Sequence, residues 1–294
     1  MVIFADTMSK AKIYLVALCA IVALGSCDFS KHNKALVNGV DRVLAEEVNK
    51  DEIEVKGGKE TSVSVDADDK LVIQKSPKGT PEQMLERTGY VASYNKTTRL
   101  PNWVAWHLTE ERTEGSAKRS DVDFAEDPDV PEPRATDWDY YNSGYDRGHM
   151  CPAADNKWSK KAMEESFLFT NMCPQNGNLN RGDWNEMEMA CRKWAKKYGG
   201  VYIVCGPILY KGKHKTIGKS KVVVPEAFFK VVLRTGDDPQ AIGFIYKNTS
   251  GNRPKDAYVN TVDEVERITG IDFFPSLPDD VEKSVEATAD IANW

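Results

Sequence analysis

Histidine is scarce in this sequence, with four residues among 294. Because histidine has an ordinary pKa close to neutrality, a search for a general base narrows to these four. His32 lies in a charged segment, His107 in an apolar run and His214 among lysines. These surroundings favour a solvated residue, a core residue and a surface cation, respectively. His149 differs because it follows Asp146-Arg147-Gly148, where the glycine permits close backbone approach and the arginine suits bidentate pairing with a phosphate.

The sequence lacks an apolar run long enough to span a membrane. Residues 13–24 give twelve apolar positions, whereas a bilayer core of about 30 Å needs roughly 20. Lys10 and Lys12 precede this run, and Leu24-Gly25-Ser26-Cys27 follows it and resembles a bacterial lipobox. We therefore expect residues 1–27 to be a lipoprotein signal peptide and Cys27 to be the lipidation site. The protein would be exported to the periplasm or cell envelope and anchored by lipid to a bacterial membrane. A short buried helix is the alternative.

Cysteine is also sparse, and no CxxC-like spacing indicates a zinc site. Without Cys19 and Cys27, the mature chain keeps four cysteines, which allow three pairings in an oxidising compartment. A helix ending at Gly199-Gly200, followed by a returning strand, would bring Cys191 and Cys205 together. We expect that pair, while the other pairings stay open.

The overall charge of −6 argues against a nucleic-acid partner, but the average conceals a local reversal. Residues 192–221 contain nine Lys or Arg residues and no Asp or Glu, whereas residues 120–139 contain eight acids and one arginine. A basic run of this kind is either a solvated surface or a path for nucleic acid.

Charged and aromatic content divides the rest of the chain into a tether at 28–84, with one short strand at 71–74, and a domain at 85–294. Alternating apolar residues predict a hairpin from 90–94 and 103–108, and Trp184, Met187, Cys191, Trp194 and Tyr198 form one helical stripe. Residues 120–139 read as a long loop. Other predicted helices cover 160–166 and 262–269, and other predicted strands cover 167–171, 201–209, 222–224, 228–233 and 241–246.

Several motifs occur together and in order: Asp146-Arg147-Gly148-His149 with Pro152, Thr170-Asn171-Met172-Cys173-Pro174-Gln175, and Leu179-Asn180-Arg181-Gly182-Asp183-Trp184 with Glu188. Over roughly residues 85–280 the sequence resembles the DNA/RNA non-specific endonucleases, the ββα-metal (His-Me finger) nucleases of the endonuclease G type. The resemblance implies an α/β (α+β) fold in which a central, mainly antiparallel sheet is flanked by helices. The ββα-metal core would occupy residues 140–198.

The resemblance also implies a chemistry, endonucleolytic hydrolysis of DNA and RNA without sequence specificity that leaves 5′-phosphates. His149 would be the general base. Asn180 would bind Mg²⁺, or Mn²⁺ or Ca²⁺, directly, and Glu188 would hold it through water. Otherwise Glu188 would merely pair with Arg192 along the helix.

The resemblance also implies which residues bind the phosphate of the substrate and which residues support the site. Arg147 and Arg192 would contact phosphate, and Arg119, beside Lys118, is the match for an arginine that acts in the transition state. The loop after Arg119 is longer than the family pattern, which leaves the alignment of 112–139 open. Asn171 and Asp146 would support the site. Cys151 and Cys173 are a further departure, and a bond between them is a possibility that spacing alone does not support.

Nucleic acid, both DNA and RNA, is therefore the expected partner. A membrane, reached through a lipid at Cys27, is the second, and the protein is expected to be a monomer or a homodimer. With a site of this kind in place, the basic run favours a path for nucleic acid, because phosphate contacts need no sequence information. Two rival hypotheses stay open, a catalytically inactive nucleic-acid-binding lipoprotein and a phosphodiesterase acting on small nucleotides.

Overall fold

The structure, a computed structural model, describes residues 67–294. Among these, residues 210–213 fall outside the compact unit that holds 67–209 and 214–294, and the description below concerns that unit. Its centre is a seven-stranded sheet in the order β1-β2-β3-β6-β9-β10-β11, and every neighbouring pair is antiparallel. The strands of this sheet are β1 (Gln83–Glu86), β2 (Val91–Asn95), β3 (Leu100–Thr109), β6 (Gly200–Ile208), β9 (Ala227–Arg234), β10 (Gln240–Lys247) and β11 (Val259–Asn260).

Two small ribbons and six helices complete the unit. The ribbons pair β4 (Asp146–His149) with β5 (Met172–Gln175), and β7 (Thr216–Ile217) with β8 (Val222–Val223). The helices are α1 (Asp137–Tyr140), α2 (Lys160–Ser166), α3 (Gly177–Arg181), α4 (Asp183–Tyr198), α5 (Val262–Thr269) and α6 (Asp279–Glu286). The predicted α+β fold, with its antiparallel sheet and flanking helices, is therefore confirmed.

Helices cover both faces of the sheet, as shown by consecutive residues of β10, which face opposite sides. Ile242 and Phe244 belong to the large apolar cluster that also holds Trp184 and Trp194 of α4. Gly243, between them, points the other way, and a Cβ built on it would lie 2.6 Å from Val265 Cγ2 of α5. The helix α4 and the pair α5 and α6 therefore pack against opposite faces.

The predicted ββα core is present between residues 140 and 198. The ribbon β4–β5 leads through α3 into α4, and the apolar stripe of α4 is buried at Trp184, Met187, Cys191 and Trp194. α4 ends before Gly199, whose φ of 77° is a left-handed conformation that glycine adopts without strain.

The acidic segment 120–139 is mostly a long loop, as predicted, although residues 137–139 belong to α1 and buried acids fix the segment to the domain. Asp127 is buried, pairs with Arg87 at 2.6 Å and accepts a hydrogen bond from Thr170 Oγ1 at 2.6 Å. Asp139 is also buried, and its Oδ1 accepts a hydrogen bond from Ser220 N at 2.8 Å, in the turn between β7 and β8. The loop therefore holds a defined position beside the ribbon β4–β5.

The predicted tether reaches too far along the chain, and the boundary at residue 85 is corrected. Residues 69–72 form a 3₁₀ helix rather than the expected strand, and its Leu71 is buried. Lys75 and Asp272 exchange two backbone hydrogen bonds of 3.0 Å. Main-chain pairing and one leucine thus hold residues 69–86 in the domain, and the low aromatic content of this segment concealed that.

The predicted strand at 167–171 is also wrong. Residues 169–171 form a 3₁₀ helix, and the strand begins at Met172. The run is apolar because Phe167 and Phe169 are buried. The side chain of Asn171 hydrogen-bonds the main chain of Cys151 and Ser166. Bonds of this kind between a side chain and the backbone favour a turn over strand pairing.

The expected disulfide between Cys191 and Cys205 is not formed, and neither is one between Cys151 and Cys173. All four cysteines of the described residues are buried free thiols. β6 does return beside α4, but the ammonium of Lys230 interacts with both Cys191 and Cys205. Burial raises the pKa of Cys191 to about 12 and that of Cys205 to about 11, so both stay protonated.

Some expectations concern residues outside the described range, namely the signal peptide, Cys27, His32 and the tether before residue 67. Within residues 67–294, no helix combines the length and apolar character that crossing a membrane requires.

Candidate active site

The ribbon β4–β5 places His149 at the start of the site. His149 pairs with Met172 across the ribbon, and its carbonyl oxygen accepts a hydrogen bond from Trp184 Nε1 of α4 at 3.2 Å. Gly148 permits this packing, because a Cβ at that position would lie 2.4 Å from Gln175 Oε1. The strand end is therefore fixed to both the neighbouring strand and the long helix.

Two aromatic rings hold the half-buried imidazole of His149. Its ring centroid lies 5.6 Å from that of Phe124 and 5.0 Å from that of Phe167, the latter edge-on. Nε2 is buried and has no hydrogen-bond partner among the described residues. Burial and, to a smaller extent, the positive charge of Arg119 lower the pKa of His149 to about 3. The imidazole is consequently neutral near pH 7, and one of its ring nitrogens keeps a lone pair.

Asn171 lies beneath this strand end and is fully buried. Its side chain bonds the main chain of Cys151, and Nδ2 also donates to the Ser166 carbonyl oxygen at 2.8 Å. The residue does not line the cavity described below. The support role expected of Asn171 therefore corresponds to a brace behind His149.

Asn180 lies in the short helix α3, which begins at the side-chain cap of Asn176. Its Nδ2 donates to Asp146 Oδ2 at 3.0 Å, and Arg181 donates to the same oxygen at 2.8 Å. With the amide nitrogen held by Asp146, the carbonyl oxygen of Asn180 is the ligand atom that this side chain offers. Asp146 thus orients Asn180, which fits its expected support role.

Glu188 lies two turns beyond Asn180, on α4, and is half-buried. Burial raises the pKa of Glu188 to about 7, and the positive charge of Lys230 opposes that rise. Lys230 itself is completely buried in β9, with Nζ 4.2 Å from the Trp184 ring and 5.3 Å from the Trp106 ring. A buried cation therefore lies behind the carboxylate of Glu188.

Three predicted arginines lie around these residues, and two are held by carboxylates. Arg192 pairs with the buried Asp155 at 2.8 Å rather than with Glu188, the partner expected in the alternative role of Glu188. Arg147 pairs with Asp137, and its guanidinium carbon lies 5.0 Å from the centroid of the Phe124 ring. Arg119 is exposed, with its guanidinium carbon 5.8 Å from the Phe167 centroid.

One open cavity of about 590 Å³ brings the predicted residues together. His149, Asn180 and Glu188 line it, together with Asp146 and the three arginines at 119, 147 and 192. Arg119, the expected match for the transition-state arginine, therefore lies next to the other predicted site residues. A polar cavity with one imidazole, one amide oxygen, one carboxylate and several guanidinium groups suits a phosphate substrate and a hard cation.

Sequence reasoning missed several residues of this site. Asn185, Tyr145 and Phe124 line the cavity, while Asp155 and Lys230 lie behind its wall. Asn185 directly follows Trp184, the last residue of the motif at 179–184, and this position could have indicated that it lines the site. Phe124 stands in an acidic loop and Lys230 in an apolar strand, and neither pattern indicates contact with the site.

The sequence model of the family described as "DNA/RNA non-specific endonuclease" matches residues 68–280. The chain belongs to this family. The "Nuclease EXOG, mitochondrial" of Danio rerio is 40% identical over 218 residues, covering 68% of this chain and 64% of that protein. The "Endonuclease G, mitochondrial" of Homo sapiens is 34% identical over 209 residues, covering 66% of this chain and 70% of that protein.

Two further comparisons agree with this membership. "Nuclease C1" of Cunninghamella echinulata var. echinulata is 37% identical over 222 residues, which cover 70% of this family member and 88% of that protein. A crystal structure of the EndoG/EndoGI complex matches with a TM-score of 0.64 and 31% identity, over 67% of this chain and 87% of the other. The chain spans about 64% of the length of the Danio rerio relative, so part of that protein has no counterpart in the match.

Proposed function

We propose that this protein is an endonuclease that hydrolyses phosphodiester bonds of DNA and RNA without sequence specificity and leaves 5′-phosphates. The observation that carries the proposal is the cavity in which His149, Asn180 and Glu188 face the same space as four arginines. Membership of the DNA/RNA non-specific endonuclease family and the printed names of the relatives support it.

His149 is the general base of the proposed reaction. Its neutral imidazole takes a proton from the attacking water, a contribution of about 10²–10⁴ in rate. The Phe124 and Phe167 rings restrict its orientation, and Asn171 fixes the backbone that follows it. Guanidinium groups of Arg119, Arg147 and Arg192 bind the phosphate oxygens and neutralise the charge that develops on them.

The donor set of the cavity fits a divalent cation such as Mg²⁺, Mn²⁺ or Ca²⁺. Asn180 offers its amide oxygen because Asp146 holds the amide nitrogen, and Glu188 offers a carboxylate for water-mediated contact. When bound, the cation would supply Lewis-acid stabilisation of the phosphate and help the leaving oxygen depart. Asp146 keeps Asn180 in place throughout.

We also propose that the chain is exported and lipid-anchored at Cys27, on the strength of its signal-like N-terminus. Intact-mass analysis of protein purified from membranes tests this separately. A mature chain that begins at Cys27 and carries acyl mass is expected. A chain without acyl mass would remove the anchor and leave the nuclease proposal unaffected.

A chelator-controlled digestion assay tests the activity. Purified protein is incubated with a closed circular plasmid, a long linear duplex and a long RNA, each with MgCl₂ and with MgCl₂ plus excess EDTA. We expect nicking and internal cleavage of all three, with 5′-phosphorylated fragments, and no cleavage under EDTA. Activity that survives EDTA would contradict the cation-dependent mechanism.

Two additions to this assay, a dinucleotide substrate and a gel-shift measurement of duplex binding, separate the rival functions. Binding of the duplex without cleavage in MgCl₂, MnCl₂ or CaCl₂ would indicate a binding lipoprotein. Hydrolysis confined to the dinucleotide, with the plasmid intact, would indicate a small-nucleotide phosphodiesterase.

A further inference from the structure

A second group of acidic side chains lies between the helices α5 and α6. Asp263 and Glu266 are three residues apart on α5, which puts them on one flank, and Glu286 is the last residue of α6. Each offers one carboxylate oxygen, and these three oxygens lie within 4.8 Å of one another.

Glu286 is the member whose position calls for a ligand. It is 5% exposed, and its Oε1 is buried without a hydrogen-bond partner among the described residues. A buried carboxylate without a partner is costly unless it is neutralised.

The contacts near this cluster bring a neutral donor and a lysine that is already paired. Lys75, whose charge acts on Glu282 of α6, pairs with Asp272 at 3.0 Å. Glu266 Oε1 accepts a hydrogen bond from Phe273 N at 2.7 Å. That backbone donor is neutral, so it does not balance the charge of the three carboxylates.

We propose that Asp263, Glu266 and Glu286 bind a divalent cation, with Ca²⁺ preferred over Mg²⁺, and that this ion joins α5 to α6. Ca²⁺ takes about six to eight oxygen ligands in a flexible geometry, and carboxylates are common among them. Mg²⁺ usually keeps several waters and is bound through one or two carboxylates rather than by a cage of protein ligands. Three carboxylates whose ligand atoms lie within 4.8 Å of one another therefore suit Ca²⁺ better.

This site is separate from the active-site cavity. α5 packs on the sheet face that Gly243 presents, whereas α4, which carries Glu188, packs on the other. Glu286 also lies beyond residue 280, where the match to the family ends. The site therefore depends on the last helix of this chain rather than on the motifs that place it in the family.

Calcium titration of the full chain tests the proposal without reference to nuclease activity. The parent protein carries Asn180→Ala, which removes the direct ligand of the active-site cation, and is stripped with EDTA and dialysed. CaCl₂ or MgCl₂ is then added while heat release and Tm are recorded. We expect one Ca²⁺ site, a rise in Tm with Ca²⁺, and a smaller rise with MgCl₂ at the same concentration.

Three further variants in that parent identify the ligands. Glu286→Gln and the exposed Asp263→Asn should each weaken Ca²⁺ binding by about tenfold or more, because ligand charge sets the affinity of such sites. Glu286→Gln removes a buried carboxylate, so its ion-free Tm should equal or exceed that of the parent, which distinguishes loss of binding from loss of folding. Asp280→Asn, an exposed acid on α6, is the matched control and should bind Ca²⁺ like the parent.

Three outcomes would overturn the proposal. The first is an absence of Ca²⁺ binding in the parent, and the second is a Tm rise that persists unchanged in Glu286→Gln. The third is an equal loss of Ca²⁺ binding in Asp280→Asn, since that would mean a general response to surface charge.

Discussion

Asn171 bonds both backbone polar groups of Cys151, with its Oδ1 accepting from the N–H at 2.9 Å and its Nδ2 donating to the carbonyl oxygen at 2.8 Å. Cys151 is the second residue after His149, so a single buried amide fixes the chain just beyond the proposed base. The motif residue Asn171 thus acts through backbone position rather than by touching a substrate.

Replacement of Asn171 by Asp should reduce kcat with little change in KM and should destabilise the fold. The carboxylate keeps the acceptor but replaces the donor by a second acceptor oxygen, which leaves the carbonyl oxygens of Cys151 and Ser166 unsatisfied at a cost of about 1–3 kcal/mol each. Urea unfolding and steady-state kinetics measure the two effects. Asn260→Asp is the control, since its Nδ2 donates to one carbonyl, that of Tyr258, away from the cavity. A large rise in KM with kcat intact would contradict a bracing role.

Replacement of His149 by Ala should lower kcat by about 10²–10⁴ while affinity for duplex DNA stays near that of the original protein. The side chain contributes proton transfer, whereas the arginines and lysines supply most of the binding. Plasmid nicking rates and fluorescence anisotropy measure the two quantities. His107→Phe is the control, because His107 stacks on Tyr202 in the sheet with centroids 4.1 Å apart. Turnover at the original rate in His149→Ala would mean that another group is the base.

Periodic elements of the fold could be predicted because burial leaves a regular imprint on sequence. α4 shows its stripe from Trp184 to Tyr198, and α5 was predicted with the bounds the structure has, Val262–Thr269. His149, Asn180 and Glu188 were found through their spacing in known motifs, and the cavity does unite them.

Contacts that depend on tertiary packing left no such imprint. Lys230 stands within an apolar strand, and only the fold reveals that the rings of Trp106 and Trp184 surround its ammonium. Phe124 comes from an acidic loop whose path is fixed by the buried Asp127. The turn at 169–171 was mistaken for a strand because its phenylalanines are buried from a 3₁₀ helix.

Stability should fall on acidification partly through His107. Burial lowers the pKa of His107 below its ordinary value, and the charge of Arg112 lowers it further. The unfolded chain therefore binds this proton more readily than the folded one, so its contribution is present above about pH 6.5 and is lost as pH falls through the lower folded-state pKa. Urea unfolding between pH 5 and 8 should show a shallower loss in His107→Phe than in the original protein. Parallel curves for the two proteins would refute this assignment.

The ion pair of Asp155 and Arg192 should show strong coupling. Asp155 is 1% exposed in its side chain, and removal of Arg192 leaves it with the Trp106 N–H as its remaining hydrogen bond. Arg192→Met should destabilise the fold by about 3 kcal/mol, because it leaves the buried charge of Asp155 without its partner. Asp155→Asn should cost less, because the guanidinium of Arg192 also faces the open cavity. The double variant should cost less than the sum of the two. Additive free energies of unfolding would show that the pair is not coupled.

Lys215 stands at the rim of the cavity, where its Nζ lies 4.8 Å from the centroid of Tyr145, a lining residue. If this cation follows the phosphate path, Lys215→Gln should raise KM for long DNA, leave kcat unchanged and reduce the slope of log K against log salt by about 1. Lys283→Gln, an exposed lysine of α6 on the opposite sheet face, should leave the slope unchanged. Binding titrations from 50 to 200 mM NaCl give the slope for each protein. Loss of a lysine that contacts a phosphate reduces the number of counterions released on binding, and therefore the slope. Equal slopes for Lys215→Gln and Lys283→Gln would mean that the backbone of the substrate does not contact Lys215.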